Sequence, residues 1–364
     1  MGYEERARNA LYGLAMGDAI SWPSLYHRSY TLPFWTRRLR REIDVAQEGQ
    51  NILRFPMPFS LNRPTEALQY APTDDTEWAC FTAKLLIESK GQLSSEQVYT
   101  CWQELANLEE PVRGSISVHG ALHNLGKGLL PPVTGADNAH YFDDSACMRA
   151  IPIGVVYQDN KERLLEAVTL DATVTNSRDG LWAAQAVAVA IGKLCSGSSL
   201  PSSLQEAQEV LPPDSWVARS VKQALDLVQE RRSDSIFALI PELDRMVNKE
   251  YSYGGAAPEV LALAFALTLL VDGDFELGVL HALAFPKVAD SLPALVGALC
   301  GATSDSVSLA SDYWVNAIHE LQGICLPTMA EVDYLRIVED LVYVGSQVNK
   351  IDGSGEVYYA NNLD

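Results

Sequence analysis

Apolar and polar positions alternate along this chain with a helical rhythm almost from end to end. Apolar residues recur at three- and four-residue spacing, or Ala and Leu dominate, over Glu4 to Ile20, Glu77 to Glu88, Ser95 to Leu108, Asp179 to Leu194 and Ala257 to Val271. Each of these stretches predicts a helix. The run Trp182 to Ile191 is rich in small residues, which suits a buried helix packed closely against another. Gly297 and Gly301 stand four apart within Pro293 to Ala302, and Gly13 and Gly17 repeat that spacing in the first helix. Residues four apart share a helix face, so these glycines mark places for tight packing. Strand signal is limited to Ile151 to Tyr157, and Pro152 weakens it. Breakers at Pro111, Gly128 to Gly135, Ser196 to Ser203, Pro212 to Asp214 and Asp272 to Asp274 are spaced like inter-helix turns, none long enough for a domain linker. The pattern predicts one all-α domain over 1–351, interrupted by an irregular insertion at 21–72 and followed by a C-terminal tail at 352–364.

Composition narrows the classes. Hydrophobic residues make up 48% of the 364 and charged residues 20%, enough apolar surface for a sizeable core. The formal net charge of −20 argues against general nucleic-acid binding, since a polyanion is repelled before specific contacts form. The longest apolar stretch, Val260 to Val271, is too short to span a bilayer, and the first residues carry no basic region followed by an apolar one. Six scattered cysteines without a Cys-x-x-Cys pair read as free thiols, so a cytoplasmic protein without a membrane partner is expected. No Gly-x-Gly-x-x-Gly, Walker loop or Gly-x-Ser-x-Gly elbow is present, which counts against dinucleotide oxidoreductases, P-loop NTPases and α/β-hydrolases. The insertion holds Arg28, Arg37, Arg38, Arg40 and Arg41 among Tyr30, Phe34 and Trp35. That cluster either attracts an anion or pairs with surplus carboxylates.

Candidate chemistry is concentrated at helix starts. Pro72-Thr73-Asp74-Asp75-Thr76-Glu77 places adjacent carboxylates and hydroxyls ahead of an apolar helix, a donor set suited to a hard cation such as magnesium. The same residue types also cap helices, but one would suffice for that. Asp290-Ser291 opens a second helix, and Gly13 to Ala19 brings Asp18 to the end of the first predicted one. Tyr251, Tyr253, Gly254 and Gly255 form either an aromatic loop over a nucleotide base or a plain turn. His119 and His123 have chelating spacing, with no third nitrogen or sulfur ligand nearby in sequence.

In this order the motifs resemble the ADP-ribosylglycohydrolase family. The resemblance rests on Gly13-Leu-Ala-Met-Gly-Asp-Ala19, Pro72-Thr-Asp-Asp-Thr76, Met148-Arg-Ala-Ile-Pro-Ile-Gly154, Asp171-Ala-Thr-Val-Thr175, and the stretch from Asp290 to Ala302. It implies an orthogonal helical bundle that binds magnesium and hydrolyses the glycosidic bond to the terminal ribose of an ADP-ribosyl substrate. Thr73, Asp74, Asp75, Asp290 and Ser291 are then metal ligands, with Asp74, Asp75 and Asp290 catalytic. Asp18 and Arg149 are expected at the substrate, as are Tyr253 and Gly254. The implied partners are ADP-ribose or an ADP-ribosylated protein, and an ADP-ribosyltransferase. The chain departs from the family pattern at three places. Val288 stands where an Asp is usual, Leu25 where a Glu is usual, and Thr175-Asn176 where Thr-His is usual. The losses leave one ion better supported than two, unless Asp18, Asp144 or Glu66 supplies a replacement carboxylate. The alternative is a catalytically silent relative that binds ADP-ribose or serves as a toxin-immunity protein.

Overall fold

Capping residues and turn glycines divide the helical pattern into short rods. The computed structural model describes residues 1–31, 71–250, 253–303 and 312–354. In chain order the helices are α1 (Tyr3–Thr31), α2 (Asp74–Glu88), α3 (Ser95–Ala106), α4 (Ile116–Gly126), α5 (Val133–Ala136), α6 (Ser145–Val156), α7 (Lys161–Ala172) and α8 (Asp179–Cys195). They continue as α9 (Leu200–Glu209), α10 (Trp216–Glu230), α11 (Ile236–Asp244), α12 (Ala257–Leu270), α13 (Phe275–Ala282), α14 (Leu292–Thr303), α15 (Asp312–Ala317) and α16 (Tyr334–Ser354). The fold is all-α: among the described residues there is no strand, only the isolated bridges Asp143 to Ala256 and Glu320 to Asp333.

Local chemistry explains several boundaries. Ser94 and Gln97 form a reciprocal capping box at the start of α3, and Ser115, Ser199, Ser215 and Asp274 cap their helices by accepting a backbone N–H. The innermost elements are α12, α14 and α6, whose residues are almost all buried, together with the mostly buried α8. Their Ala and Gly content lets axes approach closely. A Cβ placed at Gly154 of α6 would lie 2.6 Å from the carbonyl oxygen of Ala188 in α8. Five of the six cysteines are buried and all six are free, and no helix is long and apolar enough to cross a membrane among the described residues.

Two sequence expectations need correction. Residues Ile151 to Tyr157 are not a strand. They complete α6 and its C-cap, with Pro152 inside the helix and Ile151, Ile153, Val155 and Val156 fully buried. A continuous apolar run does not distinguish a strand from a helix buried on all sides, and packing against α2 and α8 decides it. The first helix runs on to Thr31 instead of giving way near residue 20, so the backbone of 21–31 is helical and not part of an irregular insertion. The rest of the insertion up to residue 70, with Arg37, Arg38, Arg40, Arg41 and Glu66, and the tail from 355, lie outside the described residues.

Candidate functional site

The α1–α14 crossing sets the site. A Cβ at Gly13 would lie 2.1 Å from the Gly297 carbonyl oxygen, one at Gly17 2.1 Å from that of Pro293, and one at Gly301 2.2 Å from that of Asn9. Backbone therefore rests on backbone along this interface, and only glycine leaves room for it. The first turn of α14, with Asp290-Ser291 just before it, is thus held beside Gly17 and its neighbour Asp18.

Asp18 is buried and ties α1 to the start of α2. Its carboxylate accepts the Thr73 N–H at 2.7 Å, the Thr76 N–H at 3.1 Å and the Thr76 hydroxyl at 2.6 Å. The Thr73 hydroxyl donates to it as well. Thr73 occupies the N-cap of α2, yet its side chain makes no capping bond within that helix. The orphan amides of α2 are satisfied from another helix instead. Capping therefore does not account for Asp74 and Asp75.

Asp74 and Asp75 gather with the carboxylates brought by other elements. Burial pushes the Asp74 carboxyl well above the ordinary range, and the next cause is the charge of Asp290, followed by Asp18. Asp75 is raised by burial, then by Asp74, Asp18, Asp290 and Asp144. Gly17 rests on Pro293 while neighbouring Asp18 binds the Thr73 and Thr76 amides, so residues 74–75 and 290 share one locality despite their separation in the chain. Asp144, the N-cap position of α6, joins them. Burial pushes it up to about 8, with the charges of Asp143 and Asp290 adding to the rise and the Ser291 side chain opposing it.

The adjacent Asp143 shows what a fully supported buried carboxylate looks like. It accepts hydrogen bonds from Ser117 N at 3.1 Å, Ser117 Oγ at 2.6 Å, Ser145 N at 3.2 Å, Asn176 Nδ2 at 3.1 Å and Tyr253 Oη at 3.0 Å. Asn176 also donates to the Asp143 carbonyl at 2.9 Å. The backbone of 253–256 is clamped alongside: Asp144 N donates to Gly255 O at 2.9 Å and Ala257 N to Phe142 O at 3.0 Å. A Cβ at Gly255 would lie 2.8 Å from Asp144 Oδ1, so this loop passes over the carboxylates only because glycine stands there. Tyr253 and buried Gly254 are therefore placed beside the cluster, with the Tyr253 ring edge-on to His140 at 4.5 Å.

Arg149 is not placed as the sequence suggested. It has no exposed surface, and its Nε donates to Asp171 at 2.8 Å, Nη1 to Ser145 O at 3.1 Å and Nη2 to Thr175 Oγ1 at 2.7 Å, with the guanidinium 5.1 Å from the Trp102 ring centre. Such an arginine braces α6 against the segment after α7 and has no face left for a substrate. Asp18 is likewise consumed by Thr73 and Thr76, so it positions the α2 start and does not itself reach a substrate. Glu77 accepts the amides of Ile324, Cys325 and Leu326 at 2.7 to 2.8 Å, fastening a distant loop to α2. Val288 is fully buried, and Lys287 beside it pairs with Glu259 at 2.6 Å. His119 and His123 are exposed on α4. Sequence reading did not pick out Asp143, Ser117 and Asn176 as a network, although Asp143-Asp144-Ser145 ahead of Met148-Arg149 was a visible signal.

Among the described residues, no three His, Cys, Asp or Glu side chains stand close enough to grip a metal ion by themselves. The donors that gather are mainly carboxylate and hydroxyl oxygens, with the buried thiols of Cys147 and Cys325 feeling the same charges. Residues 1–344 match the sequence profile of the ADP-ribosylglycohydrolase family. A solved structure described as an ADP-ribosylglycohydrolase-related protein complex is similar with a TM-score of 0.58, covering 94% of this chain and 99% of that one. At 18% identity that likeness is one of fold. No curated protein matches the chain.

Proposed function

Because the chain belongs to the ADP-ribosylglycohydrolase family, we propose that it is a magnesium-dependent hydrolase of the glycosidic bond to the terminal ribose of an ADP-ribosyl substrate, on a protein or a small conjugate. The observation that carries the reading is the α1–α14 contact at Gly17 and Pro293, which sets Asp290 beside the Asp18-tied start of α2 with Asp74 and Asp75. Folding alone gains nothing from gathering these carboxylates, whose mutual repulsion has a cost unless a cation offsets it.

The donor set suits magnesium. That ion takes hard oxygen ligands, needs only one or two carboxylates and keeps several waters, so a protein cage of three acidic groups is not required. Its ligands would be drawn from Thr73, Asp74, Asp75, Asp290 and Ser291, with no more than two of these carboxylates touching the ion directly. The buried Asp144 Oδ2, which has no hydrogen-bond partner, fits a neighbouring positive charge. When bound, magnesium supplies orientation of the ribose hydroxyls and polarisation of a water. The chain's own groups do the rest. Asp18 accepts the hydrogen bond donated by the Thr73 hydroxyl, leaving that oxygen's lone pairs for a cation. Asp74 and Asp75 would act in their ionised form, holding the cation and accepting hydrogen bonds from the water it polarises. Tyr253 and Gly254 lie on the loop that passes over Asp143 and Asp144.

Purified protein incubated with peptides ADP-ribosylated on Arg or Ser should release ADP-ribose with magnesium and not with EDTA. Asp74→Asn and Asp290→Asn should each lower the rate by about 100-fold or more, the scale of a general acid–base contribution. Absence of any magnesium-dependent release across such substrates would sink the hydrolase reading. Saturable ADP-ribose binding without release would turn the site into that of a binder.

A further inference from the structure

A lysine and a glutamate are enclosed together in the interior, each a few residues from a segment that carries candidate site residues. Lys287 is 1% exposed and Glu259 5%, and Nζ donates to Glu259 Oε2 at 2.6 Å. Lys287 lies three residues before Asp290, in the turn that leads into α14, among the buried Phe285, Val288 and Ala289. Glu259 lies in the first turn of α12, three residues after the bridge at Ala256. Its other oxygen, Oε1, accepts the Asn248 N–H at 3.0 Å. One carboxylate thus holds Asn248 and the start of α12 together, on either side of Tyr253, Gly254 and Gly255, and ties both to the turn before Asp290. Stability is a poor account of such a pair. Taking two charges out of water is costly, and apolar replacements of a buried ion pair are often neutral or stabilising. What the pair adds over an apolar contact is direction, since a charge-assisted hydrogen bond fixes one partner and one geometry.

We propose that Lys287 and Glu259 are a positioning pair for the candidate site, setting the Asp290–Ser291 turn in register with the loop that carries Tyr253 and Gly254. The inference rests on the hydrolase reading above and adds to it two residues that act only through others. Asp290 is then placed from two sides. Gly17 against Pro293 sets how near α14 comes to α1, and Lys287 pins the turn ahead of α14 to the start of α12. The loop is likewise placed from two sides. Asp144 N on Gly255 O, Ala257 N on Phe142 O and Tyr253 Oη on Asp143 hold it over the start of α6, while Glu259 holds it toward α14. Helices α12 and α14 also pack directly through buried apolar residues. The fold therefore survives loss of the pair, whereas the turn and the loop lose the contact that relates them.

The test uses the full chain and the double variant Lys287→Met with Glu259→Gln, which removes both charges and keeps an acceptor for the Asn248 N–H. Melting in EDTA, amide hydrogen exchange in EDTA and Mn2+ titration calorimetry are read on the same preparations. The double variant should melt within about 3 °C of wild type, because a neutral pair replaces a buried ionic one. Its Asp144 and Ala257 amides should exchange at least about tenfold faster. Its Mn2+ affinity should fall at least about tenfold, the scale on which residues that orient metal ligands act. Lys287→Met alone leaves the Glu259 charge buried without its ammonium and should melt about 5 °C or more below wild type. Lys287→Arg keeps the ion pair and should restore affinity and exchange toward wild type. Unchanged exchange and unchanged Mn2+ affinity in the double variant would overturn the positioning role. A double variant that melts far below wild type would make the pair a requirement of folding and overturn it too. If wild type binds no Mn2+, the cation reading fails separately, and the exchange rates still decide whether the pair sets the loop.

Discussion

Replacing Gly17 by Ala puts the packing that assembles the site to a quantitative test. The added Cβ would lie 2.1 Å from the Pro293 oxygen, 2.6 Å from its carbonyl carbon and 2.9 Å from Ala294 Cα. All three are backbone atoms, so no rotamer change relieves the overlap, and α1 and α14 must part by more than an ångström to reach an ordinary 3.4 Å contact. In a solvent-facing helix the same change stabilises by up to about 1 kcal/mol. Here overpacking of about 1–3 kcal/mol, and parting of an interface built on Gly13, Gly17, Gly297 and Gly301, should reverse the sign. We expect a net loss of about 2 kcal/mol in urea denaturation followed by circular dichroism, or about 3 °C in melting temperature for a chain of this length. Because Asp290 and Ser291 precede α14 directly, Mn2+ affinity should fall together with stability. Gly126→Ala is the internal control: nothing lies within 4 Å of its added Cβ, and stability should hold or rise slightly. A Gly17→Ala protein as stable as Gly126→Ala, with unchanged Mn2+ affinity, would refute the claim that this backbone contact places the α14 start.

Other outcomes follow from individual contacts. Glu77→Gln leaves one acceptor oxygen for three amides and turns an N–H2 toward the others, so it should cost about 2–3 kcal/mol and speed hydrogen exchange at Ile324, Cys325 and Leu326; unchanged exchange there would count against the clamp. Arg149→Lys keeps the charge but not the fork that meets Asp171, Ser145 and Thr175 together, and should destabilise by about 3 kcal/mol; a melt matching wild type would contradict a bracing role. The third outcome concerns pH in EDTA. The Asp144 carboxyl is raised from 3.8 to about 8, so between these values the native state holds a proton that the unfolded chain has released, and stability must fall as pH rises through that window. Wild type should therefore lose stability relative to Asp144→Asn by up to about 5 kcal/mol between pH 4 and pH 8, read from urea midpoints; a difference that is flat, or that grows in favour of wild type, would exclude an unpaired buried carboxylate.

The helices at Glu77 to Glu88, Ser95 to Leu108, Asp179 to Leu194 and Ala257 to Val271 were legible in the chain, because side-chain periodicity and small-residue content are local properties. They correspond to α2, α3, α8 and α12 within a few residues. Local pattern failed where burial on all sides erased it, as at Ile151 to Tyr157, and where a helix ran through a proline, as at 21–31. The donors of the candidate site were also visible as residue types: Thr73, Asp74, Asp75, Asp290 and Ser291 stand at helix starts with more oxygens than caps require.

What each of them does was not visible, since a carboxylate's role depends on which donors and charges surround it. Asp143, Asp144, Asp18 and Glu77 are chemically near-equivalent in the chain. In the fold one is saturated by five donors, one keeps an oxygen without a partner, one caps a foreign helix and one clamps a loop. Arg149, which could have met a substrate or braced helix ends, is enclosed and braces. Local residue pattern is enough for an all-helical chain, for glycine ladders able to bring two helices into backbone contact, and for an inventory of hard oxygen donors. Only the tertiary structure decided which donors share a locality, because desolvation and Coulomb repulsion act across space between residues hundreds of positions apart.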